Sequence, residues 1–293
     1  MKGILLIACG HRNYGKMAVT LAATIRMVDK DVNICLAYTE GALTNVSEEE
    51  KALFNHFVEL NKKTYTLGKN KEAWIKTKVH IDEITPYEET LFLDVDQVWL
   101  WKKTPSQVLE ELGQHEFVIE NTGYVGFDNI VYPEAENWVK MDNVRDEYKL
   151  STEKFYRVHS EFIYWKKCEN TKKYFKKVKE IYTTPLVKPL EFAGAYPDEF
   201  AFAIACSVLE YYPQIDSYTP TWWYPRENRD EQLYRIADNY VTLSIGGSFV
   251  DDTSKTYYNN VATRAYNELM LWNPYQITKH NDKRRYLPER KTS

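Results

Sequence analysis

The stretch Leu91-Phe92-Leu93-Asp94-Val95-Asp96-Gln97-Val98-Trp99-Leu100 sets two carboxylates inside an otherwise apolar run. Leu, Phe, Val and Trp without helical spacing read as a strand covered on both faces. An ionised carboxylate in such surroundings is strongly disfavoured unless something compensates it. In a regular strand alternate side chains share a face, which predicts that Asp94 and Asp96 point the same way. Two hard oxygen ligands converging at a strand end suit Mn2+ or Mg2+, ions that keep positions open for phosphate oxygens. The chemistry this pattern points to is a metal–diphosphate site. The alternative is that one aspartate caps the following turn and the other is solvated, since Asp-x-Asp by itself is common.

The elements that must position the pair follow from the flanking pattern. Gly3 to Cys9 is an apolar run ended by Gly10-His11-Arg12-Asn13, a buried strand entering a loop. Tyr14 to Met27 carries Met17, Leu21 and Ile25 at helical spacing. Val32 to Tyr38 predicts a second strand. Ser47 with Glu50 forms a capping-box pattern opening a helix through Phe57, and Phe57 to Leu60 a short strand. Ala73 to Ile84 predicts a helix that Pro86 ends before the acidic strand. This alternation argues for an α/β fold with a mostly parallel sheet flanked by helices. Ligands in such sheets bind beyond the carboxyl ends of the strands, so Ala8-Cys9, Tyr38 and Asp94 to Asp96 should share one crevice.

Further along, a helix is expected over Pro105 to Leu112 and a strand over Phe117 to Ile119. Residues 121–158 lack a clear period and read as an insertion over the crevice. Phe162 to Trp165 predicts a strand. Asn170 to Thr183 predicts a helix whose lysine-rich face is solvated, and Pro197-Asp198-Glu199 opens another through Leu209. Tyr211 to Tyr224, with the cluster Trp222-Trp223-Tyr224, reads as a loop. A last strand is expected over Tyr240 to Ile245, then a helix from about 258 to 272 and a basic tail from 279 to 291.

The chain has 293 residues, 44% of them hydrophobic, enough for a full core. Aromatics reach 15%, with 23 Tyr and 8 Trp, rings that suit sugars or bases as well as ordinary packing. A net charge of −4 argues against a generally nucleic-acid-coated protein. The four cysteines form no Cys-x-x-Cys pair, which fits packing roles in a reducing compartment. No apolar run approaches the roughly 18–20 residues of a membrane span. Met1 to Cys9 is too short for a signal peptide, so a cytoplasmic protein is expected, with no membrane partner.

These residues resemble those of GT-A glycosyltransferases, most of all the glycogenin-like family 8 type, over roughly residues 3–210. Four segments carry the resemblance: IACGHRNYGKMAVTLAATIR, IKTKVHIDEITPYEETLFLDVDQVW with its Asp94-Val95-Asp96, HSEFIYW, and PDEFAFAIAC. It implies one GT-A domain over 1–293, with 1–120 as the nucleotide-sugar half and 121–293 as the acceptor side and tail. It implies transfer of a sugar, as hexosyltransferases do, from a nucleotide-diphosphate donor, a UDP-sugar by the family pattern, with retention at the anomeric carbon. Ala8, Cys9, Tyr14, Lys78, Asp94, Val95 and Asp96 would bind the donor. Tyr14 would stack on the base, Lys78 would meet the diphosphate, and Asp94 and Asp96 would hold Mn2+ or Mg2+. Asp198 and Glu199 would lie at the sugar or acceptor hydroxyl as the catalytic pair. Read without the resemblance, Tyr14 is a packed turn aromatic, Lys78 an exposed helix lysine, and Asp198 and Glu199 acidic residues favoured at a helix start.

The sequence departs from the family pattern in three places. His159-Ser160-Glu161 stands where the family has Asn-Ala/Ser-Gly, Glu199 replaces a Gln, and the C-terminal His motif that supplies a third metal ligand is not recognisable. Leu243 to Gly247 lies where that motif should be, and His280, the one later histidine, is the candidate third ligand. A carboxylate at 199 could serve as nucleophile or cation stabiliser, as in glycoside hydrolysis. The acceptor expected first is a glycan, then a protein, with a modified DNA base as an alternative that the basic tail and aromatic cluster would suit. A sugar nucleotidyltransferase or a non-catalytic nucleotide-sugar- or glycan-binding protein are the other readings. The first lacks a Gly-rich basic loop in Gly10 to Lys16, and the second has little need of the clamp formed by Lys78, Asp94 and Asp96.

Overall fold

The N-terminal strand β1 (Lys2–Ala8) is apolar along nearly its whole length because both its faces are covered. Alternation divides it: Ile4, Leu6 and Ala8 enter one core, Leu5 and Ile7 the other. The structure, a computed structural model, describes residues 1–10, 12–67, 71–126, 135–191, 195–223 and 236–244. After β1 the chain forms α1 (Arg12–Val28), β2 (Ile34–Tyr38) and β3 (His56–Glu59). It continues through β4 (Glu89–Leu93), β5 (Gln97–Trp99), α2 (Pro105–Leu112) and β6 (Phe117–Gly126). A small hairpin, β7 (Ala135–Glu136) and β8 (Val139–Lys140), precedes β9 (Lys154–Lys166), α3 (Glu169–Thr183) and α4 (Glu199–Leu209). Two short strands, β10 (Thr221–Trp223) and β11 (Thr242–Ser244), follow.

Six strands make the main sheet in the order β3-β2-β1-β4-β9-β6. β3, β2, β1 and β4 run parallel, and β9 runs antiparallel between β4 and β6. On one face lie α1 residues Leu21, Ala22 and Ile25. On the other lie Tyr174, Phe175 and Val178 of α3 and Phe200, Phe202 and Ile204 of α4. A second, three-stranded sheet, β10-β11-β5, joins the segment after the acidic pair to the far end of the described chain.

The α/β reading and the mostly parallel sheet match the expectation; several local readings do not. The stretch over 91–100 is two strands, because β4 ends at Leu93 and the chain turns at Asp94-Val95-Asp96 before β5. The helix expected over 73–84 is a 3-10 helix, Trp74–His80, followed by one α-turn, Ile81–Ile84. β-Branched Ile75, Thr77, Val79 and Ile81 weaken an α-helix there, and the Thr77 hydroxyl donates to the Trp74 carbonyl (2.6 Å). The helix opened by Ser47 has its capping box but spans only Glu48–Lys51. Beyond it the chain is held open by Arg26, which donates to the Leu53 carbonyl and the Asn55 side chain. Residues 121–158 are not an irregular insertion throughout: β6 runs on to Gly126 and β9 begins at Lys154. Trp222 and Trp223, expected in a loop, belong to β10. Tyr224, Gly246-Gly247, the helix expected at 258–272 and the tail at 279–291 lie outside the described residues.

One glycine sets how closely the 3-10 turn after β2 approaches α1. A Cβ on Gly15 would lie 2.0 Å from the backbone oxygen of Ala42, in the 3-10 turn Glu40–Leu43. Backbone cannot yield as a flexible side-chain tip can. Gly15→Ala is therefore expected to destabilise the fold by about 3 kcal/mol, read from urea unfolding curves.

Candidate active site

β4 and β9 bring together the acidic residues. Phe162 stands opposite Leu93, so the next residue puts Glu161, still within β9, beside Asp94, the first residue past the end of β4. The Asp94 amide donates to the Glu161 carbonyl (3.1 Å). One carboxylate oxygen from each of Asp94, Asp96 and Glu161 lies within 4.8 Å of the others. The convergence expected of Asp94 and Asp96 is thus present, but a turn produces it rather than strand alternation. Asp96 and Glu161 are each only 7% exposed. Gln97, fully buried at the start of β5, donates through Nε2 to the Glu161 carbonyl (3.1 Å) and carboxylate (3.3 Å).

Among the described residues, a single lysine faces this group. Lys78 Nζ lies 2.5 Å from Asp94 Oδ2, 3.3 Å from Ser160 Oγ and 4.0 Å from Asp198 Oδ1. It is not an exposed helix lysine, because the 3-10 helix turns it inward. Burial alone would lower its pKa, but Asp198 and Asp94 reverse that and hold it well above the ordinary lysine value. One lysine does not balance the acids. Burial, reinforced by Asp96, pushes Asp94 up to about 7 against the pull of Lys78. Burial raises Asp96 as well, and Glu161 is lifted far above the carboxylate range by burial, then by Asp96 and Asp94.

The residues fit a divalent cation. Asp96 Oδ1 is buried and has no hydrogen-bond partner among the described residues. The donors are all hard oxygens, and metal–oxygen bonds of about 2.0–2.6 Å let opposite ligands lie up to about 5 Å apart. Asp94, Asp96 and Glu161 would hold the ion. His280, the expected third ligand, lies outside the described residues. Glu161 was visible in the sequence only as a departure from a glycine. The argument that singled out Asp94 and Asp96, an acid inside an apolar strand, applies equally to HSEFIYW and would have found it.

The residues expected on the donor side line the same end of the sheet. Gly10, at φ +80, donates its amide to Thr39 Oγ1 (3.1 Å). A Cβ there would lie 2.8 Å from the Trp74 indole, which stacks on Tyr65 at 4.8 Å between centroids. Ala8 is buried, and Cys9 Sγ lies 3.7 Å from the Trp74 carbonyl and 3.8 Å from Thr77 Oγ1. Burial pushes the Cys9 thiol up to about 11, so it stays protonated. Tyr14 is half-buried in the first turn of α1 and packs against the core there. Its phenol is raised by burial and then by Asp96, which puts it within electrostatic reach of the acids. Val95 is buried between the two aspartates.

Asp198 and Glu199 open α4. Asp198 occupies the N-cap position with helical dihedrals, φ −86 and ψ −26, and its side chain makes no capping bond. Capping does not explain it. It is 3% exposed, and its Oδ2 has no partner among the described residues. Glu199 Oε2 accepts from Trp138 Nε1, and its Oε1 lies 3.9 Å from His159 Nδ1. Burial, with Asp198 adding repulsion, pushes Glu199 up to about 7. An unfolded glutamate ionises near 4.5. Between these values the folded chain holds a proton that the unfolded chain has lost, so stability falls as pH rises through the window. The loss is complete above pH 7 and amounts to about 3 kcal/mol. Glu199→Gln is expected to remove that slope, seen as unfolding free energies that diverge from wild type between pH 4.5 and 8.

No family model matches the chain, and no curated protein sequence does. Solved structures do. The bifunctional glycosyltransferase WbbM superposes with a TM-score of 0.52 at 15% identity, over 84% of this chain and 46% of its own. This chain therefore spans about half of WbbM. The galactosyltransferase LgtC, in complex with donor and acceptor sugar analogs, gives 0.49 at 13% identity over 90% and 96%. Mouse xyloside xylosyltransferase 1 gives 0.46 at 12% over 84% and 98%. The fold is the GT-A type of glycosyltransferases, a mostly parallel sheet flanked by helices, with the acidic turn at its carboxyl end. No helix among the described residues is long and apolar enough to cross a membrane.

Proposed function

We propose that the protein is a divalent-metal-dependent glycosyltransferase that takes a sugar from a nucleotide-diphosphate donor, a UDP-sugar in the first instance, to a hydroxyl of a glycan acceptor. The observation that carries this reading is the trio Asp94, Asp96 and Glu161, the first half-buried and the other two buried, beside Lys78 at the ligand-binding end of a GT-A sheet. A buried acidic excess with one lysine serves no packing purpose, and it supplies what a polyanionic leaving group needs once a cation is bound.

When bound, Mn2+ or Mg2+ would supply Lewis-acid stabilisation of the departing diphosphate. The chain's own residues do the rest. Lys78 brings a positive charge to the leaving group from a desolvated position, where it counts for more than in water. Tyr14 offers a ring to the base, and the Ala8-Cys9-Gly10 backbone lines the donor's way in. Asp198, with an open oxygen, accepts a hydrogen bond from a hydroxyl of the sugar. Glu199 in its ionised form faces the anomeric carbon and stabilises the positive charge that develops there, with retention as the expected stereochemical outcome. Because its carboxyl titrates near 7, turnover should rise as pH passes upward through that value.

The test is release of free nucleoside diphosphate from a panel of UDP-, GDP- and TDP-sugars, with Mn2+ and with chelator. One donor should be turned over in the presence of metal and none in its absence. Pyrophosphate release instead would identify a nucleotidyltransferase, and donor binding without any turnover over a range of glycan acceptors would leave a binding protein.

A further inference from the structure

A two-residue turn on the acceptor side is built against its own backbone preference. β7 and β8 pair antiparallel with Val139 opposite Glu136, leaving Asn137 and Trp138 as the turn. Both have positive φ, 44 and 67. Positive φ at both central residues defines the type I′ hairpin turn, which favours Asn followed by Gly. Asn137 suits its place. A tryptophan where glycine belongs is strained, because its Cβ crowds the backbone.

Other contacts hold the strained turn in place. The Asn137 side chain donates through Nδ2 to the Val158 carbonyl (2.6 Å) and accepts the Val158 amide at Oδ1 (3.2 Å). This ties the turn to β9 one residue before His159. The Trp138 carbonyl accepts the Leu190 amide (2.6 Å). The indole then reaches Glu199 and donates to Oε2, leaving Oε1 toward His159. Strain that is kept and clamped in this way collects where it serves a site.

We infer that Trp138 is a positioning residue: its indole N–H fixes the Glu199 carboxylate so that Oε1 stays turned toward His159 and free for the sugar. This assignment rests on the glycosyltransferase reading for its catalytic meaning, but the hydrogen bond and its effect on Glu199 do not depend on it. The groups facing Glu199 are Asp198 on its own helix, His159 and the Ser160 amide on β9, Lys78 on the 3-10 helix and the Trp138 indole. Of these, Trp138 can be changed without touching an ionisable group.

The experiment compares wild type with Trp138→Phe, which keeps an aromatic ring and loses the N–H, and with Trp138→Gly, which gives the turn its preferred residue. Glu199 is followed in protein labelled with 13C at the glutamate carboxyl, its signal assigned by its loss in Glu199→Gln. In both variants the Glu199 midpoint is expected to rise by about one pH unit, because the lost donor had favoured the ionised form. On the donor found in the panel, kcat should fall about tenfold or more while KM changes little. An unchanged midpoint in Trp138→Phe overturns the assignment. So does a Trp138→Gly protein that unfolds at lower temperature yet keeps the wild-type Glu199 midpoint, which is the behaviour of an indole that only packs. If no donor is turned over, a shifted midpoint still upholds the positioning role while glycosyl transfer fails on its own.

Discussion

Replacing Asp96 by alanine is expected to lower metal-dependent donor turnover at least about a thousandfold, while leaving the metal-free protein as stable as wild type or more so. The two effects share one cause. Asp96 Oδ1 is buried without a partner, so in the absence of a cation the carboxylate is a burden on the folded state. Removing it should raise stability by about 1–3 kcal/mol in chelator. Mn2+ should raise the melting temperature of wild type, because an ion that binds only the folded state stabilises it by mass action. That rise should be absent in Asp96→Ala. A variant that melts lower in chelator and is still protected by Mn2+ would remove Asp96 from the metal site.

Lys78→Met is expected to have the opposite effect on the metal-free protein. Asp94 and Asp198 both face Lys78, at 2.5 and 4.0 Å, and only the first of the two is a metal-ligand candidate. Taking away this half-buried cation and keeping both carboxylates should destabilise the protein by about 2–3 kcal/mol. Methionine keeps the length of the side chain, so the loss reports charge rather than volume. Mn2+ should recover part of this stability through Asp94. Recovery should be incomplete, since Asp198 is not among the three clustered acids. Turnover should fall about a hundredfold or more through the lost charge at the leaving group. Urea unfolding with and without Mn2+ checks the first part, and diphosphate release the second. A Lys78→Met protein as stable as wild type in chelator would mean that the acids are already neutral there.

The sheet was legible in the sequence because buried parallel strands leave a strong trace. GILLIA and LFL, apolar on both faces, could hardly be anything else. Asp94 and Asp96 stood out by the same contrast. What the sequence concealed was geometry set at a distance. Glu161 becomes a neighbour of Asp94 only through the β4–β9 register, and Trp138 reaches Glu199 across 61 residues. The 3-10 helix at 74–80 depends on a local hydroxyl bond that helical spacing cannot reveal. Residues 121–126 lost their period because Glu120 and Asn121 are polar and fully buried, which breaks the apolar–polar alternation that betrays a strand. The acids at 198 and 199 fitted a helix start equally well, and only the missing capping bond at Asp198 separates the two readings.

The small sheet has a consequence for the order in which the protein is made. β5, which follows the acidic turn directly, pairs with β11, so that Ser244 lies opposite Gln97. The Ser244 side chain also hydrogen-bonds Glu161. On the ribosome, Asp94, Asp96 and Glu161 have all left the exit tunnel while Thr242–Ser244 are still to be translated. A nascent chain of that length can pair its main sheet, but Gln97 lacks the strand beside it and Glu161 lacks one of its two side-chain anchors. β4–β9 pairing already brings Asp94 and Glu161 together in that chain, and Thr242–Ser244 then complete the surroundings of Glu161 and Gln97. The strands that bring the acids together thus precede in synthesis the strand that fastens Gln97 and Glu161.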